Sequence, residues 1–160
     1  MGLKRLEPLA SRFNDEFLTP ENKLKSLIQC WLQDLAFKHK SKIKANKKLQ
    51  YKQPYTLGAN SCTKKLSFNN EICLIVLSSD ADETLDGIIK LKNTLRTYNE
   101  QKDVQLKTGI VRCFSRNKLG RILRVRGSIS VCAIHVYPGS NERVSKILKD
   151  ESLSQYIKLD

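Results

Sequence analysis

Apolar residues between positions 53 and 150 alternate between runs of strand length and stripes at helical spacing. The run Ile72–Leu77 is continuously apolar, which is typical of a strand covered on both faces. Shorter runs within Gly109–Cys113 and Ile129–Tyr137 predict two more strands. Helical stripes predict four helices, at about 60–66, 82–98, 115–123 and 140–148. Strands that alternate with helices imply a mostly parallel small sheet between helical layers, a three-layer αβα sandwich of the α/β class.

The first 52 residues are predicted to be an N-terminal extension built on one helix. Thr19-Pro20-Glu21 has the residues of a helix start, with Thr as N-cap, Pro at the first helical position and an acid in the first turn. The apolar stripe that follows predicts a helix over about 20–38. Residues 38–52 carry seven lysines and no acid, so they are interpreted as a solvated arm.

Pro54 marks the start of the sandwich domain, because the residue before a proline favours an extended conformation. The domain is predicted to cover residues 53–150. Residues 151–160 are expected to form a C-terminal tail.

The charge balance indicates the class of partner. The chain has 29 Lys and Arg against 16 Asp and Glu, a formal net charge of +13. Such an excess predicts a polyanionic partner, either nucleic acid or an anionic membrane. The longest apolar run is far shorter than the roughly 20 residues that a membrane span needs. The N-terminus has no apolar segment of a secretory signal. The sequence therefore predicts neither a membrane span nor a secretory signal, but the charge alone does not choose between the two polyanions. The resemblance described below favours RNA, and with it no membrane partner is expected.

No group of residues has the spacing of a catalytic or metal site. The chain has five cysteines, Cys30, Cys62, Cys73, Cys113 and Cys132. They are odd in number, lack CxxC spacing and lie in apolar patterns, so they are interpreted as core residues in a reducing compartment. The close acids Asp80, Asp82 and Glu83 are interpreted as caps of the following helix. We expect no metal, no cofactor and no enzymatic activity.

The first informative segment opens the predicted helix at 60–66. Gly58 lets the backbone approach a partner closely. Asn60 at the helix N-terminus can cap the helix or reach outward, where free N–H groups also favour a phosphate. Lys64 lies one turn later, on the same face of the helix, and can contact the same partner. A plain helix cap with a solvated lysine is the alternative.

The second informative segment is Arg116–Ser128. It holds five cations within eleven residues, and no acid occurs between Asp103 and Glu142. The stretch Arg124–Ser128 is predicted to be a loop before the third strand. Arginines there could bind backbone phosphates, and Val125 could pack on exposed bases. A solvated charge run is the alternative, although such runs usually mix signs.

Both segments resemble motifs of the kink-turn-binding family of ribosomal and ribonucleoprotein proteins. Gly58–Lys64, which spells GANSCTK, is similar to the family motif G-x-N-E-x-T-K. Leu119-Gly120-Arg121, with the loop and apolar strand after it, is similar to the family's second RNA-contacting segment. The resemblance covers about residues 53–150. It implies an αβα fold and binding to structured RNA at a kink-turn or related internal loop.

In this family the first segment recognises sheared G·A pairs, and the second loop covers a flipped-out nucleotide. By position, the resemblance assigns RNA contacts to Gly58, Asn60, Ser61, Lys64, Arg121, Arg124, Val125 and Arg126. Ser61 departs from the pattern, because the family commonly has a Glu there that contacts a guanine edge. A looser binder, or one that needs partner proteins, is therefore expected.

Within the family, the phrase Gly58-x-Asn60-x-x-Thr63-Lys64-x-Leu66 and the preceding helix are similar to the nuclear ribonuclease P and ribonuclease MRP subunits. The segments Lys4–Leu9 and Leu27–Leu32 resemble the fungal form. This resemblance implies a non-catalytic subunit of an RNA-based endoribonuclease that processes tRNA and rRNA in the nucleus and nucleolus. Other protein subunits would dock on the exposed side of the N-terminal helix.

Three alternatives stay open. Asn117–Arg121 also resembles the members that bind selenocysteine-insertion elements, in which a lysine-rich segment precedes the domain as well. A ribosomal protein is the next alternative. Outside RNA binding, the alternative is a protein-interaction module, which would leave the two basic segments without a role.

Overall fold

The computed structural model describes residues 19–45, 53–68, 72–102 and 107–158. In these ranges the helices are α1 Pro20–Ala45, α2 Ala59–Ser67, α3 Asp86–Glu100, α4 Arg116–Ile122, α5 Ser140–Lys149 and α6 Glu151–Ser154. The strands are β1 Tyr55–Leu57, β2 Ile72–Leu77, β3 Gly109–Arg112, β4 Val131–His135 and β5 Ile157–Lys158. The helices and strands predicted between residues 60 and 148 are confirmed, with ends that differ by a few residues.

The five strands form one sheet in the order β1-β4-β2-β3-β5. Among the strands of the described ranges, only β2 and β3 pair in parallel, and the other three pairs are antiparallel. The three-layer sandwich is confirmed, but its sheet is mixed rather than mostly parallel. The physical reason lies between β3 and β4. The short helix α4 and its loop stay at the edge where β3 ends, so β4 has to run back along β2.

The two faces of the sheet carry separate apolar clusters. Leu74 and Val76 of β2 point into a cluster that α1, α4, α5 and α6 cover. Ile75 and Leu77 point to the other face, which α2 and α3 cover. Every residue of β2 is buried, as the continuous apolar run predicts for a strand between two helical layers.

Helix α1 packs into the core of the sandwich. Thr19 caps it as predicted, because the backbone N–H of Asn22 donates to Thr19 Oγ1 at 3.2 Å. Ile28 and Trp31 are almost completely buried. The indole Nε1 of Trp31 donates to Tyr137 Oη at 2.6 Å, which satisfies a polar group inside the apolar cluster.

The helix also extends seven residues beyond its predicted end at position 38, as far as Ala45. Residues 38–45 of the predicted arm are therefore helical, and residues 46–52 lie outside the described part of the chain. The chain has no Gly or Pro between Pro20 and Pro54 that would stop a helix.

Residues 151–158 were expected to be part of a tail. They instead form the short helix α6 and the strand β5, which adds to the sheet. Asp150 caps α6 by accepting from the backbone N–H of Ser152 at 3.0 Å. Leu153 is buried in the core, and Ile157 of β5 pairs with Val111 of β3. The sequence pattern does not predict these elements because they are only four and two residues long.

Four of the five cysteines are buried as expected. Burial raises the pKa of Cys62, Cys73 and Cys113 to about 12, and it raises that of Cys132 as well. The expectation is wrong for Cys30, which is exposed. It follows Gln29 on the outer side of α1, next to the buried positions Ile28 and Trp31 rather than among them.

Candidate nucleic-acid interface

The two segments singled out in the sequence meet at one edge of the sheet. Leu77 at the end of β2 pairs with Arg112, where β3 ends, and with Val131, where β4 starts. The backbone N–H of Gly58, just after β1, donates to Val131 O at 2.9 Å. The start of α2 and the loop that precedes β4 therefore lie side by side, although more than sixty residues separate them in the sequence.

Gly58 makes the turn from β1 into α2. It is the N-cap residue with φ of +93°, a conformation that favours glycine, and no side chain of the described residues caps the helix. The first-turn N–H groups, which have no partner within the helix, are thus left without a side-chain acceptor. Asn60 lies at the second helical position and does not cap, so the plain-cap alternative is wrong for this residue.

The outer face of α2 carries the predicted contact residues. Asn60, Ser61 and Lys64 are exposed, while Cys62, Thr63 and Leu66 face the core. Asn60 lies beside Gly87 at the start of α3. If Gly87 carried a Cβ atom, that atom would be 3.4 Å from Asn60 Oδ1. The helix thus presents an amide, a hydroxyl and an ammonium group on one surface.

Helix α4 is capped at both ends. Ser115 accepts from the backbone N–H of Lys118 at 3.2 Å, as its position predicted. At the other end the N–H of Val125 donates to Gly120 O at 3.0 Å, and that of Arg124 donates to Arg121 O at 3.2 Å. These two bonds form a Schellman motif. Arg124, with φ of +56°, occupies the left-handed position that glycine usually takes.

The loop after α4 packs directly on the helix. A Cβ at Gly120 would collide with the carbonyl oxygen of Gly127, so only glycine permits this approach. Gly127 itself has φ of +90°. The N–H of Ile129 donates to Arg116 O at 3.0 Å and ties the end of the loop to the start of α4. Backbone contacts at both ends therefore hold the residues between them.

Three of the predicted residues share one groove, of about 430 Å³. Ser61 of α2 lines it together with Arg124 and Val125 of the loop after α4. Tyr55 and Leu57 of β1 add apolar surface. Val125 is half-buried because it also packs against the core, so only part of its side chain faces the groove. The groove combines apolar walls with a cationic rim.

Helix α1 supplies another wall of this groove, which was not predicted from the sequence. His39, Lys40 and Ile43 line it, from the part of the chain that was interpreted as a solvated arm. The signal was present in the sequence, because Leu35, His39 and Ile43 continue the four-residue spacing of the α1 stripe.

The remaining predicted residues lie outside this groove. Arg121 lines a separate groove of about 390 Å³ between α4 and Gln29 and Gln33 of α1. Arg126 is exposed on the loop, and Lys64 is exposed on α2. The predicted residues therefore spread over the surface of this edge rather than converge in one cavity.

The cations of this surface differ from Arg116, the remaining arginine of the second segment, in their partners. Among the described residues, no carboxylate pairs with Lys64, Arg121, Arg124 or Arg126. Arg116, by contrast, pairs with Asp80, with Arg116 Nε and Asp80 Oδ1 3.7 Å apart. A solvated surface usually mixes signs, so unpaired cations favour the interpretation as a polyanion-binding surface.

The acids at positions 80–83 were expected to cap α3, but they do not. Asp80 accepts from the backbone N–H of Arg116 at 2.9 Å, and this hydrogen bond holds the pKa of Asp80 below its usual range. Asp82 accepts from the N–H of Thr84 at 2.9 Å, and Glu83 pairs with Lys92 and Arg112. The expectation fails because α3 begins only at Asp86, after a turn that these acids stabilise.

Within residues 19–45, 53–68, 72–102 and 107–158, no three His, Cys, Asp or Glu side chains are grouped so that they could hold a metal ion. In the same ranges, no helix combines the length and the apolar character that crossing a membrane requires.

Comparison with known proteins supports the fold. No protein-family model matches the chain, and no curated protein matches it. The solved structure of a Giardia lamblia 15.5kD RNA binding protein matches with a TM-score of 0.53 and 19% sequence identity, over 84% of this chain and 88% of that one. A protein of unknown function from Bacillus halodurans C matches with a TM-score of 0.46 and 19% identity, over 72% of this chain and 93% of that one. The first match supports the αβα architecture, and the second is too distant for an argument.

The left-handed conformation of Arg124 leads to a prediction about the stability of the protein. Arg124→Gly should raise the free energy of unfolding by about 1 kcal/mol, because a side chain in this conformation costs roughly 1–2 kcal/mol, part of which the extra backbone entropy of glycine offsets. Arg124→Ala removes the guanidinium but keeps the Cβ, so it should leave stability near that of the wild type. Urea unfolding of the three proteins measures the difference. Equal stability of the Gly and Ala variants would contradict the assigned strain.

Proposed function

We propose that this chain is a non-catalytic RNA-binding subunit of the ribonuclease P and ribonuclease MRP ribonucleoproteins, which process tRNA and rRNA. The proposed ligand is structured RNA containing a kink-turn or a related internal loop. The proposed contact residues are the eight that the sequence analysis named. The observation that carries the proposal is the meeting of α2 and the α4–β4 loop at one sheet edge, with cations that lack carboxylate partners in the described structure.

Each part of this edge suits one feature of RNA. The uncapped start of α2 and the unpaired arginines suit backbone phosphates. Asn60 offers both a donor and an acceptor, as contact with a base edge requires. The groove between Ser61 and Val125 has apolar walls that can receive an unstacked base.

Ser61 bears on how selective this binding is. A serine hydroxyl at an exposed position makes weaker hydrogen bonds to a guanine edge than a carboxylate does, because charge-assisted bonds are roughly twice as strong. RNA selectivity then depends on the loop residues, on α1 and on neighbouring proteins. Leu27 and Phe37 of α1 are 44% and 61% exposed, and they provide apolar surface on which another subunit can dock.

A catalytic role is not part of the proposal. In a ribonuclease P or MRP particle the RNA performs the cleavage, so the chain would hold RNA architecture. The nucleus and nucleolus are the proposed location, as for particles that process tRNA and rRNA.

The proposed contacts lead to a prediction with matched controls. Asn60→Ala and Arg126→Ala should each weaken binding to a kink-turn RNA hairpin about tenfold, since one good polar contact contributes roughly 1–3 kcal/mol. Neither change should lower the melting temperature, because both side chains are exposed. Fluorescence anisotropy and thermal unfolding measure the two effects.

The control for Asn60 is Asn141, which lies at the second position of α5 after another N-cap glycine, Gly139. Helix α5 starts beyond the end of β4, at the opposite edge of the sheet. Lys146→Ala, also on α5, removes one exposed cation as Arg126→Ala does. If the α5 variants weaken binding as much as the α2 and loop variants, the assigned surface is wrong.

The identity of the RNA is tested by a pull-down of the tagged protein from its own cells, with sequencing of the bound RNA. The proposal predicts strong enrichment of the ribonuclease P and MRP RNAs. Enrichment of selenoprotein messages or ribosomal RNA would keep RNA binding and overturn the assignment to these particles. Recovery of no specific RNA would contradict the RNA-binding function itself.

A further inference from the structure

A further cavity, of about 300 Å³, lies between α3 and strands β3 and β5 of the sheet. We call it the α3–β5 pocket. Leu77, Leu95 and Ile110 supply apolar surface within it, and the ring of Tyr156 borders it and is 38% exposed. None of the residues assigned above as RNA contacts lines this pocket.

Cations dominate the rim of the α3–β5 pocket. Four of them line it together with one carboxylate: Lys92, Arg96, Arg112, Lys158 and Glu83. Glu83 accepts a hydrogen bond from Lys92 and pairs with Arg112, with Glu83 Oε1 and Arg112 Nη2 3.4 Å apart. Arg96 and Lys158 have no ion-pair partner among the described residues. The pocket thus keeps an excess of positive charge.

Glu83 organises this rim rather than neutralising it. The hydrogen bond from Lys92, followed by the charges of Lys92, Arg112 and Lys158, holds the pKa of Glu83 below its usual range. The carboxylate therefore remains ionised at neutral pH and positions two of the cations. Arg112 is held further by donating to the carbonyl oxygen of Ala81 at 3.1 Å.

The pocket has the parts that a nucleotide needs. An exposed aromatic ring and an apolar floor can receive a base, and unpaired cations can receive a phosphate. Its volume lies at the lower end of the roughly 300–1,000 Å³ of small-molecule sites, which suits one nucleotide. The described residues that line the pocket include no glycine, so they do not form a glycine-rich loop of the kind that binds a free nucleotide's phosphates.

We propose that the α3–β5 pocket binds one nucleotide of a single-stranded RNA segment, with the base on Tyr156 and the phosphate between Arg96 and Lys158. The inference rests on the proposed function only in taking RNA as the polyanion. The strands β1 and β5 are the two outer strands of the sheet, about 19 Å apart at the usual strand spacing. RNA bound where the start of α2 meets the loop before β4 would therefore reach this pocket through a flanking single strand.

The test uses the full chain and a fluorescent oligouridine of about ten nucleotides, a length within the usual range of single-strand sites. The variant Arg96→Ala/Lys158→Ala should weaken binding at least fivefold. It should also flatten the dependence of log K on log salt by about 0.7 for each lost phosphate contact. The control Lys146→Ala/Lys149→Ala removes the same charge from α5 and should change affinity less than twofold.

Tyr156 is tested separately. Tyr156→Leu should weaken oligouridine binding roughly fivefold or more without changing the salt dependence, because it removes only stacking. Tyr156→Phe keeps the ring and should retain the affinity, which separates stacking from any effect on the fold.

Equal losses in the pocket and control double variants would overturn the proposal. Displacement of the oligouridine by uridine monophosphate at the same concentration would also overturn it, in favour of a site for free nucleotides. If the wild type fails to bind a kink-turn hairpin while oligouridine binding still depends on Arg96 and Lys158, the proposed function fails and this site stands.

Discussion

The central strand β2 pairs in parallel with β3 and antiparallel with β4, and these two directions decide what lies at each edge of the sheet. They bring the ends of β1, β2 and β3 and the start of β4 to the same edge. The connections at that edge are the start of α2, the turn before α3, and α4 with its loop. The proposed RNA surface exists because this pairing gathers them there.

Backbone contacts then hold the α4–β4 loop at that edge in one conformation. The contact between Gly120 and Gly127 leaves no room for a side chain, and the Schellman motif places Arg124 in a left-handed conformation. Strain of this kind is kept only where the surrounding structure holds it, and it is common at functional sites. Arginines on a loop held in this way meet a ligand with less loss of conformational entropy than arginines on a mobile loop.

The sequence predicts the parts of this arrangement that depend on local pattern. The apolar run of β2, the Thr19 and Ser115 caps and the exposed face of α2 all follow from spacing that the structure repeats. What depends on long-range pairing is not predictable in this way. The direction of β4 depends on where α4 packs, and the short strands β1 and β5 exist only because β4 and β3 are beside them. The groove wall that α1 supplies is partly predictable. The four-residue spacing of Leu35, His39 and Ile43 is visible in the sequence, but the lysines around it are typical of a solvated arm.

The positive charge of the chain is distributed unevenly over the structure. Carboxylates pair with Arg116, Arg112 and Lys92, whereas the loop arginines and the cations Arg96 and Lys158 have no such partners in the described residues. The acids thus stabilise turns and helix starts, and they leave positive charge on two separate surfaces. A polyanion that contacts both would release counterions at each, so its binding should depend steeply on salt.

The most direct test of the account is ultraviolet cross-linking of the protein to the RNA it carries in its own cells, followed by identification of the cross-linked peptides. The account predicts that the strongest cross-links fall in residues 58–64 and 121–128, the two segments that meet at the sheet edge. Cross-links concentrated on α5, or spread evenly over the lysines of the chain, would contradict it.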